Sequence, residues 1–137
     1  DSATGQGKEV VKFQKHTGWV NSVAWSPCGR FVASGSDKTV FIWSFDSLTH
    51  QGTKMTKIEI PTDCVNTVVW SPCGQFLATS SDYAVRILNF ESGTGQGKEV
   101  AKLKGSSCEV GVVAWSPCGQ YLASGSCDTT IRVWTGS

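Results

Sequence analysis

The tetrapeptide Ser-Pro-Cys-Gly stands at Ser26–Gly29, again at Ser71–Gly74 and again at Ser116–Gly119, each copy 45 residues after the last. A fixed period of that length running through 137 residues restricts the chain to an array of like units, each covering its apolar face with its neighbour. Three units also leave the first and the last with a face that no neighbour in the array covers.

Alignment on that turn brings the same signals into register in every unit. An alternating apolar run comes first (Val20–Trp25, Val65–Trp70, Val110–Trp115), then the turn, then a second short run (Phe31–Ser34, Phe76–Thr79, Tyr121–Ser124). A Gly/Ser/Asp turn follows, and a third run (Thr39–Trp43, Ala84–Leu88, Thr130–Trp134). Period-2 alternation of β-branched and aromatic residues reads as strands. Proline second and glycine fourth in the tetrapeptide suit a tight reverse turn. A fourth strand per unit is expected from Val10–Phe13, Lys57–Ile60 and Val100–Leu103. The segments Thr4–Val10 and Thr94–Val100 are identical and lie 90 residues apart, twice the period, so the repeat runs through the linkers too. No stretch carries a helical stripe. The fold class is all-β, and four short strands per unit make one blade of a β-propeller. Residues 1–137 form a single repeat array, with blade units at about 8–45, 53–90 and 98–135.

Composition narrows the function. Net charge is +1 with the basic residues scattered, a poor footprint for nucleic acid. No apolar run is long enough to cross a bilayer and the N-terminus is not signal-like, so no membrane role is expected. The sequence opens at Asp1 with its one methionine at Met55, so a processed, excerpted or engineered product is expected. Three of the six cysteines, Cys28, Cys73 and Cys118, recur at one repeat position. Equivalent positions on neighbouring units lie apart, and no Cys-x-x-Cys is present. A reduced, intracellular setting, cytoplasmic or nuclear, is therefore the simpler expectation.

The segment His16–Trp43 and the ending Leu122–Trp134 resemble the WD40 repeat family, and the likeness covers essentially the whole chain. It implies three four-stranded WD40-type blades that complete a propeller by oligomerisation. Departures stand beside it. The Trp-Asp dipeptide is absent, since Ser44, Asn89 and Thr135 follow the third strands. Cysteine replaces the usual aspartate of the turn, and Leu88 stands where the other repeats have Trp43 and Trp134. By resemblance, a structural hydrogen-bond set joins His16, Ser34, Asp37 and Trp43 in the first repeat. The third keeps Asp128 and Trp134, with Ser106 in place of histidine, and the second keeps Asp82 alone. The middle blade is expected to be the least rigid.

These residues also supply the candidates for chemistry. His16 and Asp37 could form a catalytic pair, but their place in the blade fits mutual satisfaction of buried polar groups. No nucleophile stands beside an independent base and paired carboxylates are lacking, so neither an enzyme nor a cofactor is expected. Cys108 and Cys127 fall in two loops of one face and could approach each other, or join His16 or His50 at a metal. No ligand pair has metal-site spacing, and no metal is expected. The regular Trp25, Trp70 and Trp115 read as packing between blades. Phe41, standing where the other repeats carry Arg86 and Arg132, is either an exposed apolar spot or covered by an adjacent blade. Trp19 is different, because its equivalents are Cys64 and Glu109. The resemblance places that loop and the second turn on the face such proteins most often turn to partners. The candidate contacts are Trp19, Lys38, Cys64, Tyr83, Glu109 and Thr129.

Propellers of this kind commonly hold about four to eight blades. Here the N-terminal strand lacks its third-strand partner and the last blade lacks its outer strand. Head-to-tail association of copies closes a ring when the rotation allows. A homodimer of six blades is favoured, with a trimer of nine or completion by a partner chain as the alternatives. The function expected is a non-enzymatic scaffold for unknown protein or peptide partners. The alternative is a self-assembling structural module, amplified, excerpted or engineered, with no specific ligand. Substrate receptors of ubiquitin ligases in this family use an Arg two residues after the dipeptide, and all three repeats lack it.

Overall fold

The structure, a computed structural model, describes residues 7, 9, 11–13, 18–81, 84–91, 93–104 and 110–135, with the side chains of 37, 54–55, 60–64, 81 and 104 outside that description. Every regular element among the described residues is a strand: β1 Ser22–Trp25, β2 Phe31–Asp46, β3 Gln51–Cys64, β4 Thr67–Trp70, β5 Phe76–Ser81, β6 Ala84–Glu91, β7 Gln96–Lys104, β8 Val110–Trp115, β9 Tyr121–Ser126 and β10 Ile131–Thr135. They form three antiparallel sheets in the orders β1-β2-β3, β4-β5-β6-β7 and β8-β9-β10.

The Ser-Pro-Cys-Gly turns generate the first hairpin of each sheet. Gly29 N donates to Ser26 O at 3.0 Å with Gly29 at φ 76°, and the other two copies repeat this geometry. Only glycine takes that left-handed position without strain. The serine closes the turn from the side, its Oγ accepting from the amide of Phe31, Phe76 or Tyr121 at 3.1 Å. In the first blade the second and third apolar runs belong to one element, β2. It doubles back at Lys38, whose φ is 61°, so that Phe45 N reaches Arg30 O at 2.8 Å. The corresponding bond in the second blade, Phe90 N to Gln75 O, joins the ends of β5 and β6. The two blades therefore have the same path.

Blades stack through one repeated junction. Phe31, Ala33, Val40 and Ile42 of the first blade are buried against Val65, Val68, Trp70, Leu77 and Leu88 of the second. Ala78 and Val85 of the second bury in turn against Val110, Val113 and Leu122 of the third. Polar contacts step in the same way. Trp70 Nε1 donates to Ala24 O at 3.1 Å and Trp115 Nε1 to Val69 O at 3.2 Å. Asn21 Nδ2 reaches Val65 O and Asn66 Nδ2 reaches Val110 O. The recurring tryptophans thus pack between blades where a blade precedes them. Trp25, which no described blade precedes, is 57% exposed against 8% for Trp70.

The expected fourth-type strand at Val10–Phe13 is not seen as a strand among the described residues. Val10 lies outside the described residues, and Val11–Phe13 carries no strand assignment. Phe13 nevertheless stacks on Trp43 at a centroid distance of 4.5 Å and covers Gly52, where a Cβ would collide with its ring. Phe41, left open between exposure and cover by its sequence, is buried and lies 5.3 Å from Trp43.

Candidate protein-interaction surface

Three of the six candidate contacts have described side chains. Trp19 is 89% exposed, and its carbonyl accepts from Ser36 Oγ at 2.5 Å. That bond ties the entry loop to the turn carrying Lys38. Lys38 and Thr129 are exposed and share the left-handed backbone, at φ 61° and 69°, so the tip of this turn presents its side chain in the same way in the first and third blades. The backbone of Cys64 pairs with Asp37, which brings it to the same end of the first blade as Trp19 and Lys38. Tyr83 and Glu109 lie outside the described residues.

Of the residues assigned by resemblance to a structural set, Trp43 Nε1 donates to Ser34 Oγ at 2.9 Å and Trp134 Nε1 to Ser124 Oγ at 3.0 Å. His16, Ser106 and Asp82 lie outside the described residues, as does the side chain of Asp37. Asp128 accepts from Ser126 and Thr130 hydroxyls, from Thr130 N at 3.0 Å, and from Arg132 Nη1 at 3.3 Å. Those bonds, the Ser126 hydroxyl foremost, hold its carboxyl well below the usual range. In the middle blade Leu88 replaces the indole, and Thr79, at the place of Ser34 and Ser124, keeps a buried Oγ1 with no partner among the described residues.

The thiols of Cys28, Cys73 and Cys118 are free and exposed. Each lies 3.2–3.3 Å from the Oγ of the turn serine, and that contact, first among the causes, lowers the thiol pKa in all three. Cys127 departs from the reduced expectation, because it is disulfide-bonded. Among the described residues no cluster of three or more His, Cys, Asp or Glu could hold a metal, and no helix is long and apolar enough to cross a membrane.

The uncovered face expected at each end of the array is present, and the structure shows which residues form it. On the third blade Tyr121, Ile131 and Val133 are exposed, although their counterparts in the first blade, Phe31, Val40 and Ile42, are buried. Val133 is 68% exposed and its counterpart Ile42 is 0%. On the first blade Val20, Val23 and Trp25 are exposed, where Val65, Val68 and Trp70 are buried. The repeat alignment held this signal, since exposed and buried positions carry the same residue types. A feature that sequence reasoning missed is an apolar cavity of about 380 Å³ between the second and third blades, lined by Phe76, Leu103, Trp115, Leu122 and Trp134. Between the first and second blades Phe90 fills the matching space, edge-on to Phe31 at 5.1 Å and Trp70 at 5.8 Å. The sequence has Gly136 at that position.

Comparison with known proteins accords with this architecture. A stretch of 45 residues, 31% of the chain, is 51% identical to the "Probable cytosolic iron-sulfur protein assembly protein Ciao1" of Culex quinquefasciatus. The chain spans 13% of that relative's length. The family model described as "WD domain, G-beta repeat" matches residues 7–44, 52–89 and 97–135. With three matches in register over most of its length and a blade under each, the chain belongs to the WD40 repeat family.

Proposed function

We propose that this chain is a non-enzymatic, intracellular WD40-type scaffold whose ring is completed by a second copy. The observation that carries the ring is the pair of open faces. The face of the third blade is one half of a junction already made twice inside the chain, and the face of the first blade is the other half. Brought together, they place Trp25 opposite the carbonyl of Ala114, which corresponds to Ala24 and Val69, and they bury Val23 against Ile131 and Val133. Two copies give six blades, within the usual range; three copies would give nine. Light scattering behind size exclusion tests this. The expected particle has twice the 14.7 kDa chain mass, and a particle of 14.7 kDa at micromolar concentration overturns the ring.

The partner-binding face of this reading comprises Trp19, Lys38, Cys64, Tyr83, Glu109 and Thr129. An exposed indole held on a fixed loop is a favoured anchor for a protein partner. The relative's printed name describes an assembly protein, which accords with a scaffold role, as its description as cytosolic accords with an intracellular one. Pull-down with wild type and with Trp19→Ala/Tyr83→Ala is the test. Loss of captured partners with unchanged particle mass supports the surface, and retention of every partner removes it. The near-duplicate linkers favour a second reading, a self-assembling module with no specific ligand, and a wild-type ring that captures nothing supports it.

A further inference from the structure

We propose that the space between the second and third blades is a binding site for a small neutral molecule carrying a single aromatic ring. Every lining residue belongs to one chain, so the site stands whether or not a second copy closes the propeller.

The protein contains its own template for the ligand. Between the first and second blades the matching space is lined by Phe31, Ile42, Ile58, Trp70, Leu77 and Leu88, all buried, and Phe90 fills it. Phe90 sits edge-on to Phe31 at 5.1 Å and 72°, and to Trp70 at 5.8 Å and 78°. The first blade repeats the motif, with Phe45 edge-on to Trp25 at 5.6 Å and 75°. One repeat further along, the six lining positions are Phe76, Ile87, Leu103, Trp115, Leu122 and Trp134, and all six line the cavity. The position of Phe45 and Phe90 is Gly136 in the third repeat, and glycine has no side chain with which to fill it. Burial records the same gap. Phe76, Ile87, Leu103, Trp115 and Trp134 are half-buried, although their counterparts beside Phe90 are buried.

Shape and polarity set the ligand class. An apolar cavity of about 150 Å³ already holds a benzene ring, and this one has about 380 Å³, room for a ring and a short substituent. Phe76 and Trp115 stand where Phe31 and Trp70 meet Phe90, and Trp134 replaces the aliphatic Leu88, so three aromatic side chains border the space. Aromatic pairs gain beyond the area they bury, which selects a ring over an alkane of the same size. No charged side chain lines the cavity among the described residues, and a charged ligand would lose its hydration there without a partner. Gln120 and Thr135, both exposed, also line it and suit a single hydroxyl on the ring. The ring arrives free of a peptide, because β10 already takes the main-chain route by which Phe90 enters. Thr135 of β10 pairs with Tyr121 as Asn89 pairs with Phe76.

The test is a titration of the full chain with toluene, the phenylalanine side chain as a free molecule, followed in carbon–proton methyl spectra. Methyl shifts of Ile87, Leu103 and Leu122 should saturate with a dissociation constant of about 0.1–1 mM, while those of Ile42 and Leu77, packed with Phe90, stay in place. Cyclohexane should bind about fivefold more weakly. Ala101 also lines the cavity, so Ala101→Phe sends a ring into it from β7 and should abolish the shifts. The wild-type titration decides the point even if that variant does not fold. Methyls unmoved at saturating toluene, or shifts that survive in folded Ala101→Phe, overturn the site. Cyclohexane binding as tightly as toluene overturns its aromatic class. Tighter binding of N-acetyl-phenylalanine amide than of toluene assigns the cavity to a side chain of a protein partner and overturns the small-molecule reading.

Discussion

Replacement of Thr79 by valine should stabilise this protein, although it deletes a polar group from a sheet. Thr79 is fully buried, and its Oγ1 has no partner among the described residues. At the same repeat position Ser34 and Ser124 accept the indole N–H of Trp43 and Trp134, a donor that Leu88 cannot supply. A hydroxyl taken out of water without a partner costs about 1–3 kcal/mol. Valine keeps the shape and the β-branching of threonine, so the substitution adds no cavity and no strain. A gain of about 1 kcal/mol is expected, which for a chain of this size raises Tm by about 3–5 °C. The equivalent substitutions Ser34→Ala and Ser124→Ala should act with the opposite sign, each costing about 1–2 kcal/mol by leaving a largely buried indole N–H unpaired. Urea unfolding followed by tryptophan fluorescence measures all three on one scale. If Thr79→Val loses as much stability as Ser34→Ala, the hydroxyl has a partner and the reasoning fails.

Other outcomes follow from the same contacts. Trp70→Ala should cost about 3–5 kcal/mol in unfolding free energy, whereas Trp25→Ala, at the exposed counterpart, should leave monomer stability within about 1 kcal/mol and reduce the sedimenting dimer. Asp128 has its folded pKa depressed, so the stability it contributes is present above its ordinary value near pH 4 and is lost as pH falls below it; Asp128→Asn should flatten that part of an acid titration. The serine contact that lowers the Cys73 pKa favours thiolate, so Ser71→Ala should slow alkylation of Cys73 at neutral pH, as followed by mass spectrometry, and an unchanged rate would remove the serine from the account.

Much of this architecture was legible from the alignment alone, because a turn needing glycine at its fourth position cannot drift and three copies fix the register of everything between them. The alternation in Val20–Trp25, Val65–Trp70 and Val110–Trp115 gave the strands and their inward faces. It could not reveal that β2 carries two runs in one element, since bridging between Asp37 and Cys64 continues the ladder across the bend. Nor could it reveal that Phe13 stacks on Trp43, a contact that needs apolar surface and no ladder. The candidate surface was legible in part. Variation among Trp19, Cys64 and Glu109 singled the loop out as a candidate, but the bond that holds it, from Ser36 Oγ to the Trp19 carbonyl, ends on the backbone and leaves no mark at position 19. The open end faces followed from the count of three units, and the residues that line them from the alignment, since like residue types are core in one blade and surface in the next.

The cavity between the second and third blades has a mechanical consequence. Close packing transmits displacement and voids absorb it, so the three blades are joined by two unequal couplings. The first is filled by Phe90 and should be the stiffer. The second borders a pocket of about 380 Å³ and should yield first under load, with the Trp115–Val69 bond as the pivot. Two such chains in one ring would form a pair of rigid two-blade arcs linked through compliant single blades. That compliance would absorb the angular error between the chain's own blade step and the step a closed ring requires.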